Sequence, residues 1–225
     1  MATKYIKRHS KMARGVHLTH TIMTILLIIT GLFVFIEPLG AAVGPTVVNL
    51  IRIGHRVFAV VFIAVPIISL VVAPKGAKHM FGEMFKKWDK DDVEFLVKFV
   101  PYLFAPKRVH MPPQHETKSG QRFADAMLIL MSILLAISGI FLWVGTTTVP
   151  HHIFMLNLLI HDIAFLGICV FTLAHAYLGA GVFQPYRGSL NLMFGDGYVS
   201  EADALYHWGH WAEDELTKGE NVIEK

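Results

Sequence analysis

The sequence predicts an all-α membrane protein, a four-transmembrane-helix bundle with both chain ends on the cytoplasmic side (N-in, C-in). Two observations carry that prediction. Of the 225 residues, 54 % are hydrophobic and 16 % charged, with a mean hydropathy of +0.50, whereas a soluble domain carries about 25 % charged residues. The apolar excess is gathered into four runs, each as long as the roughly 20 helical residues that cross about 30 Å of hydrocarbon. The second observation is a one-sided distribution of Lys and Arg among the connections between the runs. Continuous apolar character over many turns reads as helix, because the strands of a membrane barrel would alternate.

The first run, residues 16–36, follows Lys4, Lys7, Arg8, Lys11 and Arg14. A signal peptide also starts on basic residues, but this apolar part is too long and opens on His17 and His20, so it reads as a retained helix. The second run, residues 47–72, carries Arg52, His55 and Arg56 near its start. The third covers residues 123–144; the fourth, residues 152–180, carries His161, Asp162 and His175. The N-terminal arm holds five Lys and Arg and the loop 74–122 holds ten, while the connections 37–46 and 145–150 hold none. By the positive-inside rule the arm, the long loop and the C-terminal tail face the cytoplasm. The chain thus divides into a membrane domain, residues 1–186, and a cytoplasmic tail, residues 187–225. Within the loop, Trp88, Phe95, Leu96, Phe99 and Tyr102 alternate with charges, which reads as an amphipathic segment on the membrane surface or against a partner. The tail clusters Tyr206, His207, Trp208, His210 and Trp211, a second candidate docking surface.

Cys169 is the single cysteine. It excludes an intrachain disulfide, a Cys-x-x-Cys-His haem attachment, and any cysteine-ligated cluster or zinc site built by this chain alone. Thirteen histidines are the abundant metal-ligand type. No continuous basic surface with interleaved aromatics is present, so nucleic acid is not an expected partner.

An ionisable side chain within a span marks a pathway or a cofactor. His161 and His175 are fourteen residues apart, hence only about 40° apart around a helix and about 21 Å apart along it. Both face one interior at two depths. Depth matching pairs His55 with His161 toward the outside and His17 with His175 toward the cytoplasm. Two imidazoles from different helices can hold a haem by its two axial positions, whereas zinc would want a fuller ligand set. The expectation is two bis-histidine b-type haems stacked across the membrane. His20, about 60° from His17 around the helix, is the second choice as inner ligand. Arg52 and Arg56 at the outer site, and Arg14 and Arg122 at the inner, are placed to meet haem propionates; interfacial snorkelling is the competing reading. Gly31, Gly54, Gly139 and Gly167 would let a macrocycle or a neighbouring helix approach closely.

These residues resemble a known family. Arg14-Gly15-Val16-His17, Ile53-Gly54-His55, Lys118-Ser119-Gly120-Gln121, Leu158-Leu159-Ile160-His161, His175-Ala176-Tyr177 and Gly197-Tyr198-Val199-Ser200 look like the cytochrome b (gamma) subunit of membrane-bound formate dehydrogenases. That subunit falls within the wider formate dehydrogenase and nickel-hydrogenase di-haem cytochrome b group. The resemblance runs from Met12 to Trp211. It implies the same haem pairing and a quinone site beside the inner haem, built from Lys118, Gly120, Gln121 and His175, with Lys118 standing where family members carry Asn. It further implies an electron-transfer subunit of the bacterial inner membrane. Such a subunit works with an iron–sulfur subunit and a catalytic dehydrogenase subunit and delivers electrons to menaquinone or ubiquinone. The chain would then be non-catalytic toward the primary substrate but quinone-reducing within the complex. A cytochrome b for nickel–iron hydrogenase or for thiosulfate or polysulfide reductase is the alternative within the group. A non-haem transporter and a structural membrane anchor are the alternatives outside it.

Overall fold

The computed structural model describes residues 3–145, 148–182 and 186–225. In chain order the elements are β1 (Lys4–Lys7), α1 (Lys11–Phe35), α2 (Glu37–Val43), α3 (Pro45–Val72), α4 (Pro74–Met84), α5 (Lys90–Phe104) and α6 (Ser119–Val144). They continue with α7 (His151–Gly179), α8 (Leu190–Phe194), β2 (Tyr198–Ser200), α9 (Glu201–His207), α10 (Gly209–Lys218) and β3 (Val222–Glu224). Four of these, α1, α3, α6 and α7, are long and apolar enough to cross a membrane, and they coincide with the four predicted runs. The connection between α1 and α3 contains the short helix α2, ended by Gly44 at φ 81° before Pro45 restarts the chain. In the connection between α6 and α7, residues 146–147 lie outside the described set.

The chain forms two contact units. One gathers residues 1–15, 74–126 and 175–225; the other gathers residues 16–73 and 127–174. The first thus joins arm, long loop and tail, the arm and the loop being the two segments rich in Lys and Arg.

The expectation of an all-α chain needs correction in the first unit. β1 sits in the middle of a three-stranded antiparallel sheet, order β2-β1-β3, with Ile6 opposite Val199 and Val222. Burial drives the pairing. Ile6 is fully buried and packs with Val199, Ala204, Trp208, Trp211 and Ala212. The tail tryptophans are therefore core rather than a docking surface. Over them lies the Arg8 guanidinium, 4.8 Å and 4.6 Å from the ring centres of Trp208 and Trp211, ion-paired to Glu116 at 3.1 Å.

The long loop contains the helices α4 and α5, and α5 covers most of the segment read as amphipathic. Asp89 caps α5 by accepting from the Asp92 backbone N–H at 2.9 Å, and the Asp92 carboxylate reciprocates on Asp89 N–H, a capping box. Asp92 does more than cap. It is buried with Arg122 in a 3.1 Å ion pair and accepts from Ser119 Oγ at 2.6 Å. The Ser119 backbone N–H donates to Gln114 Oε1 at 3.1 Å. Arg122 spends a further N–H on the Lys86 carbonyl and lies over Trp88. The network fastens α5 to the first turn of α6.

In the second unit few span residues are buried: Phe62, Ser138, Ala164, Phe165 and Ile168 among those described. At Pro66, inside α3, the missing N–H leaves the Phe62 carbonyl without its helical donor.

Candidate functional site

His55 on α3 and His161 on α7 both lie in the second unit. Each ring is held by a hydroxyl from a further helix. Thr30 Oγ1 on α1 stands 2.8 Å from His55 Nδ1; Ser138 Oγ on α6 stands 2.8 Å from His161 Nδ1. Each hydroxyl is also within bonding distance of a carbonyl of its own helix, Leu26 at 2.7 Å and Leu134 at 2.5 Å. With its proton on that carbonyl the oxygen accepts from Nδ1–H of the imidazole, the arrangement that leaves the lone pair on Nε2, as a metal ligand needs. Asn157 Nδ2 donates to the Ser138 carbonyl at 2.9 Å, tying α7 to the turn of α6 that holds Ser138.

The residue after each hydroxyl is glycine, and at both a side chain would crowd a neighbouring ring. A Cβ on Gly139 would stand 3.3 Å from His161 Cε1; one on Gly31 would stand 3.2 Å from Phe165 and 3.7 Å from His55. A hydroxyl–glycine dipeptide on a neighbouring helix thus orients each histidine and leaves room for its ring. At Gly167 a Cβ would meet Met131 Sδ at 2.7 Å, a helix contact. At Gly54 the nearest group is Phe58 of the same helix at 3.7 Å. Arg56 lies over the Trp143 ring at 5.6 Å, and Arg52 is exposed. His151 and His152 are exposed at the head of α7.

The donor set fits a bis-histidine haem: two neutral imidazoles, each with a hydrogen-bonded Nδ1, one on α3 and one on α7. At the start of the second unit, His17 Nδ1 has Thr21 Oγ1 at 3.4 Å. His20 stacks on Phe62 at 4.5 Å between ring centres and interacts with the Phe62 backbone that Pro66 leaves short of a donor. The His20 Nε2 is buried with no partner among the described residues, which keeps His20 beside His17 as a ligand candidate.

In the first unit the predicted quinone residues separate. Gln121 shares a hydrogen bond with Asp125, whose carboxyl lies within electrostatic reach of His175. Asp125 is a residue that a search for histidines misses, although a carboxyl inside an apolar run is itself a signal. Gly120 is covered by Phe95, which a Cβ would meet at 3.2 Å. Lys118 is buried elsewhere, its Nζ 3.1 Å from His207 Nδ1 and over the rings of Tyr186 and Trp208. Burial, and then the charge of Arg8, push its pKa down to about 7. The two inner arginines are also engaged: Arg14 donates to the Gly195 carbonyl, and Arg122 is held by Asp92.

Residues 8–196 match the family model described as prokaryotic cytochrome b561. No curated protein matches the chain.

Proposed function

The chain belongs to the prokaryotic cytochrome b561 family, a family of membrane cytochromes b that transfer electrons. From that premise we propose that it is the electron-transfer subunit of a respiratory formate dehydrogenase complex in the bacterial cytoplasmic membrane. In this reading it takes electrons from a partner iron–sulfur subunit and passes them through two b haems to the quinone pool. The observation that carries the haem reading is the His55 and His161 pair, each with Nδ1 bonded to a hydroxyl that is also within bonding distance of a carbonyl of its own helix. Haem b supplies reversible one-electron chemistry when bound.

The residues do the rest. Thr30 and Ser138 hold the imidazoles in the ligand tautomer, and the glycines beside them keep the rings' edges clear. The inner pair, His17 with His175, is supported by helix arithmetic, with His20 as the second choice. At the head of α6, the Gln121 amide and the Asp125 carboxyl offer hydrogen bonds to a quinone carbonyl and its reduced hydroxyl. Arg52 and Arg56 are the cations proposed for the outer haem's propionates.

A pyridine haemochrome spectrum of the purified chain tests the cofactor reading: two haems per chain are expected, and none would sink it. Identification of copurifying chains tests the complex. A molybdenum or tungsten formate dehydrogenase subunit supports it, and a nickel–iron hydrogenase subunit replaces it with the alternative. Gln121→Ala should lower electron flow to quinone while leaving haem content intact; unchanged flow and inhibitor sensitivity would remove the quinone assignment.

A further inference from the structure

Helix α5 is apolar on two opposite faces, and the first unit covers only one of them. At 100° per residue, Phe95, Phe99 and Tyr102 share the inner face with Asp92, and Asp92, Phe95 and Tyr102 are buried. The opposite face carries Val93, Leu96, Val97, Val100 and Phe104, with exposures of 55 %, 42 %, 73 %, 60 % and 86 %. It spans about 100° of the helix with no charge in it. The Glu94–Lys98 ion pair marks its edge. A helix that needed only to pack on the first unit would turn polar residues outward.

We propose that this outer face of α5 is a lipid-binding surface, seated in the headgroup region of the cytoplasmic leaflet. Three features choose lipid as the occupant. First, α5 is fastened by the buried Asp92, Ser119 and Arg122 network to the first turn of α6, a helix apolar enough to cross the bilayer. The face is therefore held at the level where a span begins. Second, exposed Lys87 and Lys90 precede the apolar stripe and Lys107 and Arg108 follow it, the charge that complements anionic lipid at that level. Third, the stripe ends on Phe104, and exposed Phe85 and Trp88 lie just before the helix, aromatic anchors of the kind that sit at membrane interfaces. The proposal stands apart from the haem and quinone readings and survives if they fail.

The test uses the full chain with Cys169→Ser, spin-labelled at single cysteines and reconstituted into nanodiscs of phosphatidylethanolamine and phosphatidylglycerol. Labels at Val93→Cys, Val97→Cys and Val100→Cys should collide readily with oxygen and several-fold less with a water-soluble nickel chelate than a label at Lys98→Cys. Three independent positions guard against one that disturbs folding. Chelate access at Val97 and Val100 equal to that at Lys98 would overturn the proposal. So would protection from both reagents that appears only when copurified partner chains are present, since the face would then be a protein interface.

Discussion

The hydroxyl behind His161 is the most exposed part of the haem reading. Ser138→Ala removes the oxygen that accepts from His161 Nδ1 at 2.8 Å and leaves a buried N–H without a partner. An unpaired donor of that kind costs about 1–3 kcal/mol. Loss of a histidine's outer hydrogen bond lowers the affinity of the ligated metal about 10–100-fold. At about 1.4 kcal/mol per factor of ten the two figures agree. Ser138→Ala should therefore lower haem occupancy at one site, shift that haem's midpoint potential, and leave the second haem unchanged. Thr30→Val acts on His55, the second axial ligand in the proposed pairing, and should change the same spectral component. Ser132→Ala is the control, because its described bond runs to its own helix at Leu128, 2.7 Å away. The assay is haem per chain together with a spectroelectrochemical titration. Unchanged content and potential in both Ser138→Ala and Thr30→Val, or an equal effect from Ser132→Ala, would refute the reasoning.

His161→Ala should remove one haem and spare the other; loss of both in a folded chain, or of neither, contradicts the pairing of His161 with His55. Asp92→Asn strips the buried Arg122 of its ion pair and should cost about 3–5 kcal/mol, seen as faster proteolysis of the α4–α5 segment, and Arg122→Gln added to it should recover part of the loss. Lys118→Met should raise the melting temperature at pH 6, with the gain fading as pH rises. The sign follows from the depressed pKa of about 7. Between pH 7 and the ordinary lysine value the unfolded chain binds one proton more, so native stability climbs with pH there. The burial penalty is fully present below pH 7, at most about 5 kcal/mol, and gone near pH 10.5. A pH-independent difference between the two proteins would show that Lys118 does not titrate as a buried amine.

The spans were legible because some twenty consecutive apolar residues suit little besides a helix that crosses a bilayer. Their starts were less so: α1 begins at Lys11 rather than 16, since a helix can run on through charged residues beyond the hydrocarbon. His55 and His161 could be paired by depth alone, but Thr30 and Ser138 could not be found. A hydroxyl in an apolar helix ordinarily bonds its own preceding turn, and only the neighbouring helix shows its second use. Asp125 was visible as a carboxyl in an apolar run; its partners Gln121 and His175 needed the fold. The sheet had no local signature. Its three strands are of three or four residues, and β1 draws both partners from the far end of the chain. The same long-range pairing turned Trp208 and Trp211 from apparent surface aromatics into core.

That central strand also sets an order of assembly. Residues 4–7 are synthesised before their partners, since β2 follows about 190 residues later and β3 about 215. At about 5–20 residues per second, the arm waits on the order of 10–40 s with both edges of β1 open. By then all four apolar helices have been synthesised. The unit containing the sheet can close only on a chain whose last span already exists, so a product truncated before residue 198 keeps Ile6 without Val199 and Val222, and Arg8 without Trp208 and Trp211. Closure of the sheet is therefore a late event, one that follows synthesis of the fourth apolar helix.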